Sequence, residues 1–371
     1  MKKICIITFS PVEFLPPLVN LLNDRRWKKF DVLCCAPKHP DAFPLEIDAF
    51  AIRFVRIPFG YHRCKLANLW EKIRIYLSFL FQLIRFRPDA IFYIESPIAL
   101  PVWLYRKFIN RRLKLLIHYY EYMTPEEFSR SRGSGFPHRL EQQLYPLASW
   151  VSQCNGKRLE MFREDNGIAP EICRVIPNYP PRKWRDAFRE RAVLSSPLKL
   201  VYVGALNNET MYVREMAEYV RANSGRVVWD IYSFQVAPET VELLREIETP
   251  GIRCFSRGIS YDELPGLLAE YDVGLVLYRG TTMNYRYNHT NKFFEYLVLG
   301  LDVWCPQVLP LLAEYETHGV YPKVVCLDFG RLSEISPEML ADHTGLSCCR
   351  PEYWAEDAED GLFATLTEEL A

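Results

Sequence analysis

The 371-residue sequence has no CxxC pair, no excess of either charge and no apolar run long enough to cross a membrane. Lys+Arg total 45 against Asp+Glu 46, a formal charge of −1. That balance excludes the broad basic field of a nucleic-acid binder, and no nucleic-acid partner is expected. The 11 cysteines are odd in number, and Cys34-Cys35 and Cys348-Cys349 are adjacent, which suits no disulfide framework. Cys5, Cys34, Cys305 and Cys326 fall in apolar runs and read as buried, reduced thiols of a cytoplasmic protein. No Cys or His spacing suits zinc, so no metal site is expected. The longest mostly apolar stretch, residues 75–84, ends at Arg85 and is flanked by Lys72, Arg74 and Arg87. It is shorter than the ~20 residues a spanning helix needs. At the N-terminus two lysines precede a short apolar run, but Ser10-Pro11-Val12-Glu13 interrupts it without a small-residue cleavage site. The run reads as a first buried strand rather than a signal peptide.

What is present is a globular composition, 49% hydrophobic and 25% charged, in a chain too long for one ordinary core. Short β-branched and aromatic runs alternate with longer amphipathic segments. In the first half, residues 3–9, 31–35, 52–57, 90–94, 113–117 and 150–154 read as strands, and 14–23, 66–86 and 139–148 as helices. The second half repeats the layout, with strands at 198–203, 227–233, 252–255, 273–277, 302–305 and 324–327. Its helices are expected at 211–221, 238–247, 261–271 and 291–299. Strands apolar at nearly every position are buried on both faces, so each half predicts a doubly wound, largely parallel α/β sheet. Neither residues 8–13 nor 204–209 supply GxGxxG, which argues against a nicotinamide-dependent dehydrogenase on the same alternation. Ile176-Pro177-Asn178-Tyr179-Pro180-Pro181 is a rigid punctuation between the halves. The expected division is 1–180, 181–352 and a last segment, 353–371, which either forms a helix returning to the first domain or stays a solvated tail.

Residues 288–306 carry the most chemistry. A loop leads into a helix from Asn291, Gly300 ends it, and a buried strand follows. Thr290 or Asn288 can cap the helix, leaving backbone N–H groups to face an anion. Lys292 puts a cation in the first turn, where the helix dipole disfavours one unless an anion binds there. Glu295, one turn on, can accept from ribose hydroxyls, and His289 can reach a phosphate or sugar hydroxyl. The plain alternative is an ordinary helix with Lys292 and Glu295 solvated.

The segment Asn291-Lys292-Phe293-Phe294-Glu295-Tyr296-Leu297, followed by Gly300, resembles the donor site of GT-B glycosyltransferases, especially the retaining family four. Ile176-Pro177-Asn178 is similar to their interdomain turn, and Leu200-Val201-Tyr202-Val203-Gly204 to the opening of their C-terminal domain. Gly258-Ile259-Ser260-Tyr261-Asp262-Glu263-Leu264 is similar to their base-binding loop. The resemblance spans about residues 175–306. It implies two Rossmann-like domains facing a central cleft, with the donor held by Gly204, Gly258, Ile259, His289, Thr290, Asn291, Lys292 and Glu295. A nucleotide-diphosphate sugar is then a co-substrate, no cofactor or metal is required, and a glycan or lipid-linked hydroxyl is the acceptor. Surface polysaccharide assembly is the setting it suggests.

The departures are specific. Family members often pair the glutamate at the position of Glu295 with another eight residues earlier, where this chain has Tyr287. The cations usual after the glycine equivalent to Gly204 are missing, leaving Arg214, Arg279, Arg286 or Lys292 to meet the diphosphate. Asp302 stands where a proline is usual. A GT-B protein that binds without transfer is the rival these changes motivate. In the first half, Ser10 after the first strand can meet acceptor or phosphate or serve as a helix cap or turn residue, and His118 and Glu121 after the fifth can contact the reacting sugar or be a buried histidine and an exposed loop acid. Glu121 is the candidate base if the reaction inverts, whereas the resemblance implies retention. Glu141 reads as structural. Basic and aromatic residues between Trp70 and Arg87, with Arg106, Lys107, Arg111 and Arg112 beyond, suit either a packed amphipathic helix or a peripheral membrane contact.

Overall fold

The computed structural model describes residues 1–40, 47, 52–60, 64–131, 134–233, 235–247 and 249–370. The chain forms two compact units, Met1–Pro177 with Ala355–Ala371, and Asn178–Trp354.

The strands of the first unit are β1 (Lys3–Thr8), β2 (Asp31–Lys38), β3 (Ile52–Pro58), β4 (Ala90–Ile94), β5 (Lys114–Tyr119), β6 (Trp150–Gln153) and β7 (Cys173–Val175). They form one sheet in the order β3-β2-β1-β4-β5-β6-β7, every neighbour parallel. β4 is buried at every residue, as a central strand covered on both faces should be. Between the strands run α1 (Pro16–Leu22), α2 (Lys65–Phe86), α3 (Ala99–Phe108), α4 (Pro125–Arg130), α5 (Gly135–Glu141) and α6 (Gly156–Asn166). The chain winds outward from β1 through β2 to β3, then returns to β4 on the other side of β1. The switch point therefore lies between β1 and β4, whose last residues, Thr8 and Ile94, are partners in register. In open parallel sheets ligands bind beyond the carboxyl ends of the strands at this point.

One helical expectation is corrected and another shortened. Residues 139–148 are not one helix: α5 ends at Glu141, and a 3₁₀ turn, Tyr145–Leu147, contains Pro146, which lacks an N–H and obstructs a continuing helix. Residues 261–271 are helical only to Leu268, and their first turn, Tyr261–Glu263, is 3₁₀ and runs directly into the α-helix Leu264–Leu268. β7, a three-residue edge strand mostly open to solvent, lacks the apolar pattern that marks the others.

The last helix, Asp360–Glu369, packs into the first unit. Leu362, Phe363, Leu366 and Leu370 share a core cluster with Trp27 and Trp150. Arg26 holds the helix from outside, bonding Asp360 and the Glu356 carbonyl with its guanidinium 4.2 Å over the Phe363 ring.

The second unit contains β8 (Leu198–Val203), β9 (Val227–Tyr232), β10 (Ile252–Phe255), β11 (Val273–Leu275), β12 (Asp302–Pro306) and a further strand, Val324–Leu327. The sheet is again parallel, ordered β10-β9-β8-β11-β12 and then Val324–Leu327, with its switch point between β8 and β11. The helices that bear on the site are α7 (Val213–Ala222), α8 (Pro238–Ile247), α9 (Leu264–Leu268), α10 (Met283–Arg286) and α11 (Asn291–Val298).

Candidate functional site

In the second unit the candidate residues gather where β8 ends. Gly204 follows that strand at φ +129°, and Lys292 of α11 lies across it. A Cβ on Gly204 would stand 2.5 Å from Lys292 Cε and 2.9 Å from Nζ. One turn further along α11, Tyr296 presses on β11 at Gly274, where a Cβ would stand 2.2 Å from the tyrosine ring. Two glycines thus let the same face of α11, residues 292 and 296, lie directly on the two strands that flank the switch point. Tyr296 also accepts a bond at its hydroxyl from Val203 N at 3.2 Å.

The start of α11 is open. Thr290 occupies the cap position, but its side chain bonds no helix N–H, so the expected side-chain cap is not made. Glu295 is 3% exposed, and its Oε1 accepts from Asn291 Nδ2 at 2.7 Å. Burial raises its pKa; the bonds from Asn291 and Tyr261 and the charge of Lys292 oppose that. Tyr261 stands in the loop after Gly258, which takes φ +63°, and Ile259 packs on the same core as α11. The ring of His289 lies edge-on to Phe294 and Tyr315, each 5.6 Å away, and its carbonyl accepts from Asn178 Nδ2. A cavity of about 700 Å³ between β9, β10 and α8 includes none of these residues in its lining.

Of the four cations proposed for the diphosphate, two are committed elsewhere. Arg279 bonds Glu215 and the Asn208 and Met211 carbonyls, and Arg214 stands 3.9 Å from Glu218. Lys292 and Arg286 make no ion pair among the described residues.

The far end of α11 is fixed by a residue with no signal in the sequence. Arg191 is buried and donates to the carbonyls of Arg189, Leu268, Ala269, Tyr271 and Leu299. A cation there satisfies the C-terminal carbonyls of α9 and α11 and complements their dipoles. Asp302, in place of the usual proline, bonds His343 Nε2 at 2.8 Å, and His343 Nδ1 bonds the Arg191 carbonyl at 2.7 Å.

In the first unit the carboxyl ends of the strands bring other groups together. Ser10 follows β1, its N–H bonded to Thr8 Oγ1 at 3.1 Å. Glu121 is exposed beyond β5. His118 does not belong with them. β5 runs on to Tyr119, so His118 sits inside the sheet, 1% exposed, with Nδ1 2.8 Å from Ser152 Oγ and its ring against Phe92 and Tyr120. Burial drives its pKa down to about 3, which makes it a neutral core histidine and not a proton carrier. Glu141 is fully buried, as a structural residue should be, and its Oε2 accepts from Ser96 Oγ and Tyr145 Oη.

Sequence reasoning missed Glu95, the residue immediately after β4. Its backbone takes φ +70°, ψ 148°, a region nearly reserved for glycine, at a cost on the order of 1–3 kcal/mol. Its Oε1 accepts from two successive amides, Tyr120 N at 2.8 Å and Glu121 N at 3.1 Å. The signal available was its place: an acid ending a buried strand beside the first strand of a parallel sheet.

No family model matches the sequence, and no curated protein matches it either. The backbone, in contrast, follows solved structures over its whole length. Sucrose-phosphate synthase from Thermosynechococcus elongatus has a TM-score of 0.66 at 13% identity, covering 100% of this chain and 97% of that one. UDP-GlcNAc 2-epimerase from Neisseria meningitidis, bound to UDP-GlcNAc, gives 0.61 at 12%, with 99% and 100% covered. The lipopolysaccharide outer core galactosyltransferase WaaB in its apo form gives 0.57 at 11%, with 99% of each chain covered. The fold is GT-B. At these identities the likeness is one of fold, and transferases and epimerases share it. What a GT-B chain does must therefore be read from its own side chains.

Proposed function

We propose that this chain is a glycosyltransferase that moves a sugar from a nucleotide-diphosphate donor, held in its second unit, to a hydroxyl of a glycan or lipid-linked acceptor. The observation that carries the reading is Lys292 lying across Gly204 at the uncapped start of α11, one turn before buried Glu295. A lysine that makes no ion pair among the described residues, at the positive end of a helix dipole, is matched by a diphosphate. A buried carboxylate beside it is matched by a ribose diol, with the loop through Gly258 and Ile259 against the base. As the bond between anomeric carbon and phosphate oxygen breaks, the helix amides and Lys292 stabilise the charge gathering on the leaving group. No divalent ion is invoked in this step. Arg191 serves by fixing the opposite end of α11.

The reading extends to where the acceptor is met. α2 buries Ile75, Phe79, Leu83 and Phe86, yet carries a second apolar stripe, including Trp70, Leu77 and Phe81, at 70%, 62% and 58% exposure. Lys65 and Arg85 are exposed along the same helix, and Glu71 is its only acid. Exposed aromatic and aliphatic residues among basic ones fit the surface of an anionic membrane. No described helix is long and apolar enough to cross one, so the contact proposed is peripheral.

A thermal-shift screen of nucleoside diphosphates and their sugars tests the donor site, repeated on Glu295→Ala. One base series should stabilise the unsubstituted chain and lose its effect in the variant. A shift that survives the substitution removes Glu295 from the ribose, and no shift with any nucleotide removes the function.

A further inference from the structure

In the second unit, β12 and the strand Val324–Leu327 run side by side with Cys305 and Cys326 as partners in register. Neighbouring strands lie about 4.8 Å apart, within the Cα separation that a disulfide bridges. The two Sγ atoms are 3.5 Å from one another, in direct contact. Cys305 belongs to the core cluster that includes Phe293, Phe294, Tyr296 and Leu297 of α11, and Cys326 packs against the same cluster. Cys305 is fully buried, whereas Cys326 is half-buried and open to a small solute. The first sheet holds a contrasting pair. Cys5 and Cys35 also bond one another, but both are fully buried, and neither offers a solute a way in.

We propose that Cys305 and Cys326 are a redox-modification site, where a peroxide converts the two thiols to a disulfide joining the strands beneath α11. The Cys326 thiolate attacks one oxygen of hydrogen peroxide, the O–O bond breaks, and hydroxide leaves with its electron pair. Cys326 is then a sulfenic acid. The Cys305 thiol gives up its proton and bonds to the Cys326 sulfur, and the sulfenic oxygen departs as water. Two electrons pass from the sulfurs to the peroxide, and a dithiol such as dithiothreitol returns them. The surroundings divide the roles. The bond from Cys305 holds the Cys326 thiol below its usual range, against burial and the charge of Glu316. That same contact and burial push Cys305 well above the usual range. The accessible sulfur therefore ionises first, and the buried one resolves it. Bond formation draws the sulfurs from 3.5 Å to about 2.05 Å, and the close-packed rings of α11 must shift with them. That last effect rests on the donor reading above wherever it is followed through a nucleotide.

The test treats the full chain with hydrogen peroxide, blocks the remaining thiols with N-ethylmaleimide and maps linked peptides by mass spectrometry. A link between the peptides of Cys305 and Cys326 should form, and dithiothreitol should remove it. In Cys305→Ser the sulfenic acid has no thiol to meet, so dimedone should label Cys326 there and not in the unsubstituted chain. The melting shift given by UDP or GDP should shrink by roughly half or more on oxidation and return on reduction. Cys326 recovered from the peroxide-treated unsubstituted chain as a free thiol or a sulfinic acid, without a link to Cys305, overturns the site. That result needs no variant to fold. A link that forms while the nucleotide shift stays unchanged overturns the effect on α11 alone. No shift by any nucleotide in the reduced chain removes the donor reading, and the peptide map still decides the disulfide.

Discussion

Lys292 and Gly204 occupy one another's space: the ammonium of the first passes where any side chain on the second would have to be. Gly204→Ala therefore acts mainly through Lys292. The flexible end of the lysine can move aside, while the +129° φ adds a strain of about 1–3 kcal/mol. The expected result is a chain that folds, melts a few degrees lower, and binds the nucleoside diphosphate chosen by the screen about tenfold or more weakly, a loss of ~1.4 kcal/mol. Calorimetric titration measures this. Unchanged affinity would mean that Lys292 does not meet the diphosphate.

Glu295 sets stability against binding. Its raised pKa means that the native state pays to ionise it, so its contribution is most favourable below the unfolded carboxyl range near 4.3 and is lost as pH rises through the native value. Glu295→Gln removes the charge and keeps the oxygen that accepts from Asn291 Nδ2. At neutral pH the empty variant should melt higher than the unsubstituted chain. It should nevertheless bind the nucleotide about tenfold more weakly, because a charged acceptor on the ribose becomes a neutral one. A melting point that falls, with affinity unchanged, would assign Glu295 to packing instead.

The sequence revealed this region because its signals are local. Cation, acid and glycine stand within one short helix, and runs such as Ala90–Ile94 and Asp302–Pro306 are buried at every position. The two parallel α/β sheets follow from that alternation, while GT-B is the expectation of the motif resemblance. What escaped depends on tertiary contacts. Nothing near Arg191 announces that it bonds carbonyls at the ends of two helices, and no composition reveals the positive φ of Glu95. For His118 the structure takes the second of the two readings open in the sequence, a buried histidine, and the difference is one of boundary. Ending β5 at residue 117 puts the ring in the crevice, whereas the strand continues to Tyr119 and keeps it in the sheet. The stripe on α2 was visible, but sequence alone left both packing and membrane contact open.

His343 gives the second unit a pH dependence of known sign. Burial lowers its pKa, but the bond and charge of Asp302 and the bond to the Arg191 carbonyl outweigh that, and the net shift is upward. Both ring nitrogens face acceptors, an arrangement only the imidazolium satisfies in full. The stabilisation is therefore fully present below the unfolded value near 6.5 and is lost as pH rises through the higher native value. Urea unfolding across this range should show stability declining with pH, and His343→Gln should flatten that part of the slope. An equal slope in both proteins would place the titration elsewhere.

The exposed stripe of α2 makes a prediction independent of any nucleotide. Leu66, Trp70, Ile73, Leu77, Phe81 and Ile84 recur at three- and four-residue steps opposite the buried face, so they form one continuous apolar surface. Arg106 and Lys107 of the neighbouring α3, with Arg111 in the turn beyond it, line a cavity of about 330 Å³ that has no acid in its lining, and Arg106 Nε is buried there without a hydrogen-bond partner among the described residues. An anionic headgroup satisfies both features, with each basic residue near the surface contributing about 1 kcal/mol at low salt. The chain should float with vesicles of phosphatidylcholine mixed with phosphatidylglycerol, bind phosphatidylcholine alone poorly, and release as salt is raised. Trp70→Glu with Phe81→Glu should abolish flotation and leave the melting point nearly unchanged, because neither side chain is in the core. Concentration-dependent dimerisation that the same pair abolishes, without vesicle binding, would instead identify the stripe as a contact between two copies of the chain.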